Sequence, residues 1–186
     1  MKPLEKNFWE EAGELVHLEG MLSKALLRMH SVAHAESFQR LLAKYRVATE
    51  NNLAQLSQTF RLFEVPLREK KNDTAMALLQ KVQQVILRTG SGPVLDALLL
   101  ALCLKIIALK TRSYATIASW AHALSAEHRD LTATLNKLHQ AEKRAESDFQ
   151  RLTAQCDVLA ATDELETTRK RESSPKKEIF RARGDW

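Results

Sequence analysis

The chain has 186 residues, 45% of them hydrophobic and 27% charged, with a formal charge of +5. That is enough for one domain with a real core plus an appendage, and the composition excludes global disorder. The modest positive charge permits an acidic partner without requiring one.

The first helix is predicted over residues 3–30. Leu15, Leu18, Leu22, Leu26 and Met29 recur every three or four positions, and Glu5, Glu10, Glu11 and Glu14 crowd its positive end. A second helix over 34–64 carries Phe38, Leu41, Leu42, Tyr45, Ala48, Leu53, Leu56, Phe60 and Phe63 as its apolar stripe. The short break at 31–33 makes the two an antiparallel hairpin. Pro66 limits the second helix, residues 68–72 form a solvated connector, and Asn72 or Asp73 can cap a shorter helix over 74–88.

Thr89-Gly90-Ser91-Gly92-Pro93 stops that helix and starts the next, over 93–124, with Pro93 suited to a first turn. Its apolar run, residues 94–109, contains Asp96 and Lys105 and is too short for a comfortable membrane span, so a buried helix is expected. Leu98, Leu99, Leu100, Leu102, Leu104, Ile106 and Ile107 cannot all face one four-helix core, and Leu98, Leu99, Leu102 and Ile106 are the candidate interface residues among them. They predict cover by the short helix or a homodimer interface. Ser125 can cap a last helix from 126 to Cys156 or beyond.

Two hairpins joined by a short crossover helix give an all-α fold, a ferritin-like antiparallel four-helix bundle over residues 1–160. Residues 161–186 are expected to be a basic, flexible tail. From 169 onward seven Lys/Arg face three Asp/Glu, and Ser173-Ser174-Pro175 breaks any helix. Lys170, Arg171, Lys176, Lys177, Arg181 and Arg183 are its candidate nucleic-acid contacts, able to neutralise a few phosphates with little sequence preference. No secretory signal opens the sequence, and Cys103 and Cys156 lack metal-ligand spacing. A cytoplasmic protein with reduced, buried thiols is expected.

The segments LEGMLSKALLRM (18–29), TENNLAQLSQTFRLF (49–63), AMALLQKVQQVI (75–86) and YATIASWAHAL (114–124) follow one another in an order that resembles the YciE/YciF-type ferritin-like family of bacterial stress-associated proteins, over residues 4–157. The resemblance implies a bundle that is often dimeric, with a di-metal carboxylate site between its helices. That site would take a Glu from the first helix and a His-x-x-Glu pair from the second. Carboxylates three apart on the third long helix and further acids on the fourth would complete it. Among those positions only Glu19 keeps a ligand-type residue. The second helix offers Tyr45 and Ala48, the third Ile107 and Lys110, and the last Asn136, Lys137 and Leu138, with Glu142 a turn later. A metal pair needs several anionic oxygens, and an ammonium repels it. The expectation is therefore a metal-free bundle with an apolar centre and no cofactor.

A relocated iron or manganese site is the alternative. Glu14-x-x-His17 and His139-x-x-Glu142 each share a helical face, and Glu19 could join them. No catalytic residues are assigned: no ordered Ser/His/Asp set exists, and Gly90-Ser91-Gly92 lacks the lysine of a phosphate loop. The preferred function is non-enzymatic action through a protein interface, as a homodimer or with another protein partner.

Overall fold

The computed structural model describes residues 2–124 and 129–173, leaving aside the side chains of 129 and 170–173. Helix α1 (Pro3–Val32) begins with proline in its first turn, where the missing N–H costs nothing, and the Glu5 carboxylate accepts from Lys2 N at 3.3 Å. Helix α2 (Glu36–Leu62) starts at Ala35, whose side chain cannot cap it. The cap comes from a distant residue: Asp96 accepts from His34 N at 2.8 Å and from Ala35 N at 2.7 Å. The residue that interrupts the most apolar stretch of sequence therefore ends on backbone donors just before another helix.

At its far end α2 closes with Glu64 in the left-handed region, φ 54°, and Val65 N bonded to Phe60 O at 3.0 Å. Helix α3 (Asp73–Arg88) is capped by Asn72, which accepts from Ala75 N at 2.9 Å. Helices α4 (Pro93–Leu124) and α5 (Arg129–Ser173) complete the order. All regular structure among the described residues is helical, as the 3.6-residue periodicity predicts.

The ends of α1 to α4 fall within two residues of the expected ones; α5, expected to reach Cys156 or beyond, continues past it. It runs through the anticipated boundary at residue 160 to Ser173, because no Gly or Pro interrupts the segment. Residues 157–169 are exposed, apart from half-buried Ala160. Lys170 and Arg171 lie in this helix with undescribed side chains, while Lys176, Lys177, Arg181, Arg183 and the expected cap Ser125 lie outside the described residues.

Helix α1 pairs with α2 and α4 with α5, contacts between α1 and α4 and between α2 and α5 close the bundle, and α3 packs on α4 and α1. Trp9 meets Phe60 while Ser23 meets Glu50, so the first hairpin is antiparallel. Burial on α4 distinguishes the two covers expected for its apolar residues, the short helix or a second copy. Leu99, Leu102 and Ile106 are enclosed by this chain's own helices, and of the four leucine and isoleucine side chains expected at an interface only Leu98 is exposed, by 41%. The α3 strap and the α5 pairing cover the rest. No helix is long and apolar enough to cross a membrane.

The core divides into two apolar clusters. One takes Leu22, Leu26, Phe38, Leu42, Leu99, Ile106 and Phe149; the other takes Phe8, Leu15, Leu56, Phe60, Ile117, Leu131 and Leu135. Each of these side chains contributes about 1.5–3 kcal/mol when fully buried. On all four long helices the change from one cluster to the other falls at a buried polar residue: Glu19, Asn52, Lys110 and Glu142.

Candidate functional site

Those four residues form a polar layer across the middle of the bundle. Each is in phase with its helix's apolar stripe. Glu19 follows Leu15 by one turn, Asn52 precedes Leu56, Lys110 follows Ile106, and Glu142 follows Leu138. Burial of all four is nearly complete, between 0 and 3% exposed, and Tyr45, Thr49 and Tyr114 join them.

The Lys110 ammonium is the hub. Its Nζ lies 2.9 Å from Glu19 Oε2 and 2.9 Å from Glu142 Oε1, donates to Tyr45 Oη at 3.0 Å, and sits 4.8 Å from the centre of the Tyr45 ring. Each carboxylate also accepts from a phenol, Glu19 from Tyr114 at 2.6 Å and Glu142 from Tyr45 at 2.8 Å. Asn52 Nδ2 donates to Glu142 at 2.8 Å and reaches Glu19 at 3.5 Å. Thr49 Oγ1, also buried, makes no hydrogen bond.

Two acids share one cation out of reach of water, and burial is the main influence on protonation there. Burial pushes the Glu19 carboxyl up to about 7; Lys110 opposes the shift and Glu142 adds to it. Burial works against the Lys110 ammonium, but Glu142 and Glu19 together outweigh it and hold its pKa above the ordinary value. Burial, reinforced by the neighbouring carboxylates, raises both phenols well above their usual range, so each remains a donor. Protonation of Glu19 removes one buried charge from the layer, which low-dielectric surroundings favour.

This geometry corrects the expectation of an apolar centre. Ile107 and Leu138 do enter the apolar clusters, and Asn136 and Lys137 point to solvent. Yet Glu142, one turn beyond Leu138, reaches the middle, and Thr49 rather than Ala48 is the buried neighbour on α2. Asn52 and Tyr114 were not singled out from the sequence. Their only signal there is a polar group in phase with an apolar stripe, which a helix of this length also shows by chance.

The site residues of the relocated-metal alternative do not assemble. Glu14 accepts from Asn72 at 2.7 Å and pairs with Lys70 at 3.2 Å, and His17 lies 3.3 Å from Glu69, all against the connector between α2 and α3. His139 Nδ1 sits 3.1 Å from the Thr111 carbonyl. Glu19 and Glu142 alone come together, with Lys110 between them. No group of three or more His, Cys, Asp or Glu suited to a metal ion occurs among the described residues. The donor set of the layer, two carboxylates already paired with an ammonium and no imidazole, does not fit the di-metal pair that the family resemblance implies. Cys103 and Cys156 are buried thiols, Cys103 lying 3.7 Å from the Met29 sulfur and pushed up to about 12 by burial.

Residues 3–162 match a family described as a domain of unknown function, DUF892. The crystal structure of the E. coli stress protein YciF is similar, with TM-score 0.78 and 21% identity over 84% of this chain and 98% of that one. So is YcfI from Rhodopseudomonas palustris, with TM-score 0.73 and 19% identity over 81% and 94%. At these identities the likeness establishes the fold. No curated protein matches the sequence.

Proposed function

This chain belongs to the DUF892 family, and from that premise we propose that it is a non-enzymatic, metal-independent helical protein that acts through a protein interface as a homodimer. One observation carries the reading: the Lys110 ammonium lies 2.9 Å from both acids that reach the bundle's middle. A cation placed there would meet a fixed positive charge in a medium that screens poorly, and would have to displace a covalently tethered rival. The likeness in fold to a stress protein supports a stress-associated role.

With its centre filled by its own side chains, such a protein works from its surface. The exposed apolar side chains Leu98 on α4, Leu87 on α3 and Leu165 on α5 supply contact material for a second copy. The decisive experiment is elemental analysis of the purified full-length protein, coupled to thermal melting with and without a chelator. The expected result is no stoichiometric iron or manganese and an unchanged Tm. Two ions per chain whose removal lowers the Tm would replace this reading with a di-iron or di-manganese oxidoreductase.

A further inference from the structure

At the end of the bundle away from α3's packing on α4, the connector between α2 and α3 turns back across α1 and leaves a cleft of about 600 Å³. That volume lies in the range of small-molecule sites. One wall is apolar: the Trp9 indole, Phe60, Val65 and Pro66. The indole is held by its neighbours, 4.8 Å between ring centres from Phe8, 4.9 Å from Phe60 and 5.8 Å from Phe63.

The opposite wall is also fixed. A Cβ on Gly13 would meet the Arg68 carbonyl oxygen at 2.3 Å, so connector and helix touch backbone to backbone. Lys70 pairs with Glu10 at 3.0 Å and Glu14 at 3.2 Å, His17 faces Glu69, and Asn72 donates to Glu14. The cleft is thus preformed, and a ligand need not order a loop in order to bind.

The charges at its rim are nearly all committed to one another. Lys6 and Lys70 share Glu10, and Glu69 has His17. Arg68 lines the cleft, is exposed, and makes no ion pair among the described residues. Lys6, Arg68 and Lys70 line the cleft against two acids, Glu10 and Glu69, so the balance of charge beside the aromatic wall is positive, and the guanidinium matches a carboxylate in two-pronged geometry.

We propose that this cleft is a binding site for a small aromatic carboxylate, its ring against Trp9 and Pro66 and its anionic group on Arg68. Aromatic rings stack favourably on an indole or proline face, and the volume exceeds one bicyclic ring, leaving room for a substituent.

The test is calorimetric titration of the full-length protein with 2-naphthoate and, in parallel, with neutral 2-naphthalenemethanol. The expected result is binding of the acid, with the alcohol roughly tenfold weaker. Arg68→Gln, which removes no contact from the fold, should weaken the acid to the alcohol's level and leave the alcohol unchanged. A second variant, Trp9→Leu, should weaken both ligands, with circular dichroism checking that the bundle is intact. Failure of the acid to bind at millimolar concentration, equal affinity for the two ligands, or acid binding indifferent to Arg68→Gln would each overturn the proposal.

Discussion

Burial of Glu19 beside an ammonium and a second acid makes folding depend on pH. In the unfolded chain the Glu19 carboxyl titrates near its ordinary value of 4.5, whereas in the bundle it titrates at about 7. Between those values the folded state binds the proton that the unfolded state has released. Stability from this group is fully present below pH 4.5 and is lost as the pH rises through 7. The slope reaches at most about 1.4 kcal/mol per pH unit for one proton. Urea denaturation between pH 5 and 8 should show this fall, and Glu19→Gln, neutral throughout, should remove it. An unchanged pH profile in that variant would refute the assignment. Because a buried ion pair gains little net stability after desolvation, the consequence of the layer is registry: sliding one helix past another strands an uncompensated charge.

Among the helices, local sequence accounts for most ends, and the start of α2 is the exception. Asp96 lends both carboxylate oxygens to the backbone N–H groups of His34 and Ala35, so a residue on α4 fixes the turn between α1 and α2. Asp96→Ala leaves those part-buried donors without protein partners and should cost about 2 kcal/mol, at the upper end for loss of a cap. Chemical denaturation measures it, and a loss below about 0.5 kcal/mol would mean that water replaces the carboxylate. In the sequence Asp96 is visible only as an interruption of an apolar run. Nothing local says what it caps, since its partners lie about sixty residues away. Helix α5 shows the converse. Its course to Ser173 follows from composition, without packing, because charged and small residues with no breaker sustain a helix in water.

For the whole molecule, the contact between Gly13 and Arg68 joins α1 to the connector and through it to α3. Gly13→Ala would force backbone against backbone, with no flexible side-chain end to give way. It should destabilise the protein by on the order of 1–3 kcal/mol and widen the cleft beside Trp9. Thermal melting and 2-naphthoate titration of that variant read the two effects separately; a stable variant with unaltered binding would show that the connector is free to shift. The sequence by itself determined the five helices, their order and the antiparallel pairing. Periodicity of 3.6, capping residues and short breaks act within a few residues of one another and need no partner to be read. The family likeness likewise placed Glu19 and Lys110 at positions of interest. Only the tertiary structure decided that Lys110 pairs with both Glu19 and Glu142, that Tyr45 meets Glu142 from 97 residues away, and that Leu99 and Leu102 turn inward while Leu98 does not. Those facts depend on rotation and register between helices to within an ångström or so. The rotation and register are set by the packing of every side chain in the core together, and no stretch of sequence carries them alone.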